Sequence, residues 1–237
     1  MSDPDGFASA APVSPVQESP GQKMDQMYRW TRHVYDLTRR YYLLGRDQLL
    51  SRIADRPAGR VLEVGCGTAR NLRRLHHQAP RHSLYGLDVS RAMLATARRA
   101  LRRMGCARAV TLRLGRAESW RPDDPFGGTA FDVIFFSYAL SMIPAWPTAL
   151  RTALTHLRPG GRLYVVDFWD QAGLPGWVAR IVQGWLSLFD VSPRCSLVPK
   201  LHALDDRGRL ACTVRPVARR YAYLVSVAPT ASPGTPW

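Results

Sequence analysis

Apolar and amphipathic stretches alternate along the middle of the chain, and their lengths predict an α/β protein. Five short apolar runs, typical of strands, occupy residues 60–67, 83–89, 110–114, 131–138 and 157–168. The fourth run, FDVIFFSY, is apolar almost throughout, as expected for a strand that is covered on both faces. Amphipathic stretches at 69–78 and 90–104 predict helices between the strands. This order predicts a doubly wound, Rossmann-like sheet that is mostly parallel.

Two later apolar runs, 210–214 and 221–228, predict an antiparallel pair at the edge of this sheet. Upstream of the first strand, apolar residues recur at spacings of three and four, which predicts a helix packed on the domain. These residues are Met27, Trp30, Val34, Leu37, Tyr41 and Leu44. We therefore expect N-terminal cap helices over 23–56 and a substrate-facing or membrane-facing helical insertion over 171–209.

Proline-rich stretches flank this arrangement. They predict a disordered leader at 1–22 and a disordered tail at 229–237. What remains, residues 23–228, has the length of one domain with a substantial core.

The pattern that carries the most chemical information is VLEVGCGTARN at 61–71, followed by an acid at Asp88. An apolar strand that reaches Glu63 and then breaks into Gly65-Cys66-Gly67 predicts a sharp turn under a ligand that the backbone approaches closely. Asp88 ends the second predicted strand, where a carboxylate accepts hydrogen bonds from both hydroxyls of a ribose. Together these features predict a site for a nucleoside cofactor.

The identity of that cofactor depends on the end of the motif. A dinucleotide site requires a third glycine where this chain has Arg70, which weakens a pyrophosphate interpretation. The loop instead resembles the E-x-G-x-G loop of class I S-adenosylmethionine-dependent methyltransferases, and the LRPGG turn at 157–161 is frequent in that family. The resemblance implies S-adenosyl-L-methionine (SAM) as the cofactor. The residues that the comparison with this family places around it are Glu63, Gly65, Cys66, Gly67, Asn71, Asp88, Val89, Met93, Ala117, Glu118 and Ser137.

One stretch departs from the family. After the third strand the family often has Gly-Asp-Ala, whose acid accepts a hydrogen bond from the adenine amino group, whereas this chain has Gly115-Arg116-Ala117-Glu118. An arginine cannot accept that bond. Either Glu118 replaces the missing acid, or backbone and apolar contacts hold the adenine. The alternative from another class is a fold that has lost its cofactor and serves as a basic scaffold on membrane or RNA.

Four other segments are similar to the betaine-lipid N-methyltransferases. They are VYDLTRRYYLLGRD at 34–47, VVDFWDQ at 165–171, LPGWVARIVQGWLSLF at 174–189 and DVSPR at 190–194. This resemblance, which runs from about Met24 to Pro229, implies three methyl transfers to the homoserine amine of diacylglyceryl-homoserine, a glycerolipid. It also implies a functional association with the enzyme that makes that lipid. The core motifs alone leave open other amphiphiles, such as phosphatidylethanolamine or a quinone precursor.

An amine attacks a methyl group only when it is unprotonated, so a nearby hydrogen-bond acceptor assists the reaction. Tyr35, Asp167 and Asp170 are our candidates for orienting the ammonium or accepting its proton. Each has a structural alternative, because Tyr35 can simply pack, Asp167 can pair with an arginine and Asp170 can cap the next helix. Aromatic rings suit a methylated ammonium and arginines suit the homoserine carboxylate. The candidates for binding the substrate are Tyr28, Arg40, Arg46, Phe168, Trp169, Trp177 and Trp185.

The stretch 174–189 is apolar except for one narrow stripe formed by Arg180, Gln183 and Ser187. It is too short to span a bilayer, so it predicts a helix that lies in the membrane interface or forms a wall of an acyl-chain groove. Burial inside a substrate cap is the alternative interpretation.

The net charge of the chain indicates which partners it attracts. With 33 Lys and Arg against 18 Asp and Glu, the formal charge of +15 attracts the chain to an anionic phospholipid surface. The same charge admits nucleic acid, but no motif of a nucleic-acid-reading module occurs, so we expect no specific nucleic-acid partner. The four cysteines are too scattered for a metal-binding pair. We expect a cytoplasmic protein that is peripheral at the inner face of the cell membrane.

Overall fold

The computed structural model describes residues 43–121, 126, 130–187 and 191–230. The strands are β1 (Arg60–Val64), β2 (Ser83–Asp88), β3 (Val110–Leu114), β4 (Phe131–Ser137), β5 (Leu157–Phe168), β6 (Leu210–Val217) and β7 (Ala222–Pro229). The helices of the described residues are α1 (Arg46–Ala54), α2 (Arg70–Gln78), α3 (Arg91–Arg103), α4 (Trp146–Thr155), α5 (Gly176–Ser187) and α6 (Leu197–Asp205). The predicted leader, most of the predicted cap and residues 231–237 of the predicted tail lie outside the described residues.

All seven strands form one sheet, in the order β3-β2-β1-β4-β5-β7-β6. The first five strands run parallel to one another, and β7 runs antiparallel to both β5 and β6. This topology confirms the predicted doubly wound sheet with an antiparallel pair at one edge. The strand order reverses at β1 and β4, so a crevice for a ligand opens beyond the carboxyl ends of these strands.

Two strands differ from the prediction by more than one residue at one end, each for a local reason. β1 ends at Val64 rather than at residue 67, because Gly65 and Gly67 take φ values of 74° and 53°, which a strand does not allow. β6 continues to Val217 rather than stopping at residue 214. Pro216 is tolerated there because β6 is the edge strand and a missing amide donor does not interrupt the sheet.

The sheet separates two apolar layers, and β4 contributes to both. Phe135 packs into the layer formed with α1, α2 and α3, while its neighbour Phe136 packs into the layer formed with α4 and α6. Both rings are fully buried. The nearly continuous apolar sequence of β4 therefore has the cause that was predicted for it, since helices cover both faces of the sheet.

The described part of the N-terminal cap is α1, which buries Leu49, Leu50 and Ile53 against the sheet. The prediction was wrong for Leu44, which is 39% exposed, while its neighbour Leu43 is buried. The reason is local: the chain turns at Gly45, whose φ is 82°, and the helix begins only at Arg46. Leu44 therefore lies in the turn that precedes α1 and not on a helical face.

Helix α5 packs by only one side. Leu186 is buried in the layer that contains Phe135, with Val182 and Trp185 against it, whereas Trp177 and Ile181 are 65% and 63% exposed. The helix is thus neither fully buried nor fully solvated. In the part of the chain that the structure describes, no helix is long and apolar enough to cross a bilayer.

Candidate active site

A cavity of about 290 Å³, which we call the main cavity, opens beyond the carboxyl ends of β1, β2, β3 and β4. Its lining residues are Val64, Gly65, Gly67, Leu87, Asp88, Val89, Gly115, Arg116, Ala117, Glu118, Tyr138, Ala139, Met142, Ile143, Pro144 and Ala145. Most of these side chains are small or apolar, and the acids Asp88 and Glu118 lie among them. The main cavity therefore combines an apolar slot with two separate hydrogen-bonding carboxylates.

The glycine bend after β1 forms one wall of the main cavity. The amide of Gly65 donates to the carbonyl of Leu87 at 2.8 Å, which fastens the bend to the end of β2. A Cβ atom on Gly65 would lie 2.6 Å from the Cβ of Ala139, so no larger residue fits there without a shift. Since its φ of 74° is also unfavourable for other residues, glycine is required at this position on two counts.

Asp88 lies directly against this bend. One carboxylate oxygen accepts from the amide of Gly67 at 2.7 Å, and the other accepts from the amide of Ser90 at 2.9 Å. Two charge-assisted bonds to backbone amides hold the carboxylate in a single orientation at the edge of the main cavity. A carboxylate accepts about four hydrogen bonds, so this arrangement is compatible with contacts to a ribose as well.

The other residues predicted around the cofactor divide into two groups. Val89, Ala117 and Glu118 line the main cavity together with the bend, whereas five lie behind its walls. Those five are Glu63, Cys66, Asn71, Met93 and Ser137, all of them buried. Glu63 accepts from the side-chain amide of Asn71 at 2.7 Å, and this bond ties β1 to α2 beneath the bend. Burial, followed by the charges of Asp88 and Glu63, raises the pKa of the Cys66 thiol well above its usual value, so this thiol stays protonated.

Arg116, which occupies the position of the family's usual acid, is paired with Glu118. Its Nε donates to the Glu118 carboxylate at 2.8 Å, and one of its terminal nitrogens contacts the same oxygen. The backbone of Glu118 is held as well, because the hydroxyl of Thr152 on α4 donates to its carbonyl at 3.2 Å. The arginine thus orients a carboxylate two residues further along the chain, in the lining of the main cavity.

A second cavity, of about 440 Å³, is lined by three arginines, and we call it the arginine cavity. Arg46, which was predicted to bind a substrate carboxylate, lies here with Arg70, Arg74 and the acid Asp47, which forms an ion pair with Arg74. Tyr138 connects the two cavities, because its ring lines the main cavity and its hydroxyl donates at 2.5 Å to the carbonyl of Leu44, which lines the arginine cavity. A cationic cavity therefore adjoins the main cavity across one hydrogen bond.

Neither of the two acids predicted beyond β5 is among the residues that line the main cavity. Asp167 is fully buried and accepts from the amides of Ser141 at 3.0 Å and Phe168 at 2.8 Å. Burial raises the pKa of Asp167 to about 6, although these hydrogen bonds oppose the change. Asp170 forms an ion pair with Arg220 and accepts from the amide of Ala172 at 3.1 Å. Both acids thus organise backbone and side chains around the strand end.

The aromatic candidates are spread over several environments. The ring of Phe168 packs edge-on against Tyr138 at a centroid distance of 4.7 Å, immediately behind the main cavity. Trp169 lies beneath the guanidinium of Arg220, 4.6 Å from its ring centre, so this ring already binds a cation of the protein. Trp177 and Trp185 belong to α5, as described above. Three further candidates, Tyr28, Tyr35 and Arg40, lie outside the described residues.

The sequence profile of the family described as "Methyltransferase domain" matches residues 61–161, from β1 into β5. Residues 61–161 form a class I SAM-dependent methyltransferase domain. The glycine bend, Asp88 and the stretch 115–118 all fall inside this range, and so do all the residues that line the main cavity.

Named relatives of the domain act on different substrates. Over 135 residues the chain is 33% identical to the ubiquinone/menaquinone biosynthesis C-methyltransferase UbiE of Dinoroseobacter shibae, a match that covers 55% of this chain and 50% of that protein. It is 34% identical over 113 residues to the trans-aconitate 2-methyltransferase of Deinococcus radiodurans, covering 48% of this chain and 39% of that one. The chain therefore spans half or less of the length of these relatives.

The same fold recurs in solved structures. A complex of DhpI with S-adenosylhomocysteine superposes with a TM-score of 0.61 at 23% identity, covering 91% of this chain and all of that one. The mitomycin 7-O-methyltransferase MmcR superposes with the same TM-score at 18% identity, covering 78% of this chain and 54% of MmcR. At these identities the similarity establishes the fold of the methyltransferase domain.

The main cavity suits SAM on the evidence of its own residues. Gly65 and Gly67 bring backbone into its lining, and Asp88 and Glu118 supply acceptors for hydroxyl and amino groups. The cofactor itself supplies a methyl group on a positively charged sulfur. Apolar walls and two carboxylates are an appropriate environment for such a cationic, partly apolar molecule.

Sequence reasoning missed one side of the methyltransferase domain's cavity. The segment after β4, residues 139–145, which we call the wall turn, provides Ala139, Met142, Ile143, Pro144 and Ala145 to the lining. These are ordinary apolar residues without a motif. Tyr138, the first residue after β4, takes a φ of 56°, which turns the chain into this segment, but nothing in the sequence indicates that value.

We expect Glu118→Gln to weaken SAM binding by about tenfold, because a hydrogen bond to a charged acceptor contributes about 1.5 to 3 kcal/mol. The carboxylate that replaces the family's usual acid would be neutralised, while its size is kept. Calorimetric titration of SAM into the wild-type and variant proteins measures the change.

The matched control is Asp206→Asn, an exposed acid at the end of α6, which removes the same charge away from both cavities. An unchanged dissociation constant in Glu118→Gln would show that adenine is held by backbone and apolar contacts alone.

Proposed function

We propose that the chain methylates the headgroup amine of a glycerolipid, converting diacylglyceryl-homoserine to its trimethylated betaine by successive transfers from SAM. The observation that carries the proposal is where four segments meet in space. The segments similar to betaine-lipid N-methyltransferases are far apart in sequence, yet the described parts of three of them hydrogen-bond to Tyr138 or the wall turn, and the fourth, α5, contributes to the apolar layer that contains Tyr138. The resemblance therefore concerns one side of one cavity.

Individual contacts show this convergence. From the first segment, the carbonyl of Leu44 accepts from Tyr138; from the second, Asp167 accepts from the amide of Ser141. From the last, the amide of Ser192 donates to the carbonyl of Ser141 at 3.2 Å. The third segment is α5, whose Leu186 lies in the same apolar layer as Tyr138. In a methyltransferase, the residues beside the donor that are specific to a subfamily are those expected to select the acceptor.

The arginine cavity fits the other half of the proposed headgroup. Diacylglyceryl-homoserine carries a carboxylate close to the amine that is methylated, and an arginine fork binds a carboxylate through two parallel bonds. Arg46 is 8% exposed and its Nε donates to the carbonyl of Leu43 at 3.3 Å, which fixes the direction of its side chain. Because the amine and the carboxylate are borne by the same carbon, the headgroup would lie beside Tyr138, where the two cavities adjoin.

The exposed face of α5 fits the acyl chains or the membrane that holds them. Trp177 and Ile181 lie one turn apart, and the charged residue of this helix is an arginine, Arg180. The sequence from 171 to 189 contains no acid, so nothing on it repels an anionic lipid surface. An amphipathic helix with tryptophan on its apolar side is suited to the membrane interface. We propose on this basis that the protein works at the inner face of the cell membrane.

The chemistry requires positioning and a free amine. A model α-amino group has a pKa of about 7.7 to 8.0, so a moderate decrease of that pKa near the apolar walls suffices at neutral pH. Holding the amine in line with the methyl group supplies several kcal/mol of the barrier reduction. Tyr35 and Asp170 stay candidates for accepting the proton, while Asp167 contributes by holding the amide of Ser141.

A second candidate function is C-methylation of a quinone precursor. It is favoured by the 33% identity with the ubiquinone/menaquinone C-methyltransferase. That match is confined to about half of the chain, and the segments that resemble the betaine-lipid enzymes extend to both sides of the shared domain.

The full chain incubated with SAM and liposomes containing diacylglyceryl-homoserine is expected to yield lipids heavier by one, two and three methyl groups. Mass spectrometry of the extracted lipids identifies these products. Parallel liposomes with phosphatidylethanolamine or a quinone precursor separate the candidate functions, and products from those substrates alone would contradict the betaine-lipid proposal.

The carboxylate contact is tested in the same assay by Arg46→Lys, which keeps the charge but loses the bidentate geometry. We expect its KM for the lipid to rise about tenfold, since a charge-assisted hydrogen bond contributes about 1.5 to 3 kcal/mol. Arg52→Lys, the same substitution on the same helix away from the cavity lining, is the control. Equal KM values in the two variants would show that Arg46 does not bind the substrate.

Trp177→Ala is expected to weaken cosedimentation of the protein with anionic liposomes by about tenfold, because burying a large apolar side chain contributes about 1.5 to 3 kcal/mol. Met104→Ala provides the control, since Met104 is also exposed, at 44%, but lies after α3. Identical sedimentation of Trp177→Ala and wild type would show that α5 does not face the membrane.

A further inference from the structure

The wall turn is short, and its backbone is held almost entirely from outside. Its internal bonds are those from Met142 to Ala139 at 3.1 Å and from Ile143 to Leu140 at 3.2 Å. The 3₁₀ turn within it, Leu140–Met142, has only these two bonds and therefore little stability of its own. The positions of its side chains in the main cavity must therefore depend on the neighbours that bind its remaining polar groups.

Arg194 binds two carbonyls of the wall turn, one of which, that of Leu140, also accepts the internal bond from Ile143. Its Nε donates to the carbonyl of Leu140 at 3.1 Å, and its Nη2 donates to the carbonyl of Ile143 at 3.0 Å. These carbonyls are three residues apart, at the two ends of the turn. A planar guanidinium with a fixed fork spans them simultaneously, whereas a lysine ammonium is a single point of charge on a flexible stem.

The backbone around Arg194 is itself anchored on both sides of the sheet. Val191 is buried in the apolar layer of α1 to α3, and Leu197 is buried in the layer of α4 and α6. The amide of Leu197 donates to the carbonyl of Arg194 at 2.9 Å. The guanidinium is thus presented to the wall turn from a fixed position.

We propose that Arg194 is a positioning residue for the cofactor: by bridging the carbonyls of Leu140 and Ile143 it keeps Met142 and Ile143 in the wall of the main cavity. Arg194 does not line that cavity, so its effect on SAM passes through the turn. Asp167 and Ser192 hold the middle of the turn, at Ser141, while Arg194 holds its two ends. This role does not depend on which amphiphile accepts the methyl group.

Two variants of the full chain test the proposal, with Arg207→Met as the control. Arg207 is an exposed arginine just after α6, so its loss changes the charge without touching the turn. We expect the dissociation constant for SAM to rise about tenfold in Arg194→Met, because each bond to a charged donor contributes about 1.5 to 3 kcal/mol before the turn relaxes. In Arg194→Lys one of the two contacts is kept. Its dissociation constant is therefore expected to rise only about threefold. Arg207→Met is expected to match the wild type.

Calorimetry measures SAM binding, and the melting temperature without SAM measures stability. A role limited to stability would lower the melting temperature of both variants and leave the SAM dissociation constant of the folded protein unchanged, and this result would overturn the proposal. If Arg194→Met does not fold, Arg194→Lys by itself tests the proposal. Weaker SAM binding by Arg194→Lys supports the positioning role, and SAM binding equal to that of the wild type overturns it. Steady-state kinetics adds a further readout, a higher KM for SAM with little change in kcat.

Discussion

The carboxylate of Asp88 against the glycine bend is the contact on which the rest of the site depends. It ties the end of β2 to the loop that leaves β1, through the amides of Gly67 and Ser90. Because those amides also begin the stretches that lead into α2 and α3, one acid determines both the shape of the bend and its distance from the second strand. Removing the carboxylate would leave two buried amides without their acceptor, at a cost of about 1 to 3 kcal/mol each.

The sheet order turns this local contact into a cavity. β1 lies between β2 and β4, so the bend faces the end of one neighbour through Asp88 and the end of the other through Ala139. Neighbouring strands end at the same level because the pairing is parallel. In this protein, the segments that lie beyond the strand ends are the wall turn, residues 191–194 and α5. The proposed substrate specificity rests on these segments.

The fold and the bend could be predicted from the sequence because both have local causes. Apolar periodicity reflects strands and helices directly, and a glycine that needs a positive φ is visible as a glycine. The wall turn could not be predicted, since its residues are ordinary apolar ones and their place in the cavity is set by Arg194, fifty residues away. Asp167 shows the same limit: a carboxylate near the end of a buried strand suggests chemistry, whereas its two bonds to backbone amides become visible only in three dimensions.

Calorimetric titration of SAM into Asp88→Asn measures whether SAM binds at the Asp88 bend. Asp132→Asn is a matched comparison, because Asp132 also accepts a backbone amide at 2.7 Å, that of Arg60, but at the opposite end of the strands. Asp88→Asn is expected to weaken SAM binding by about thirtyfold, because a charged acceptor is lost, while Asp132→Asn is expected to bind SAM as the wild type does. Equal affinity for SAM in the two variants would show that SAM does not bind at the Asp88 bend.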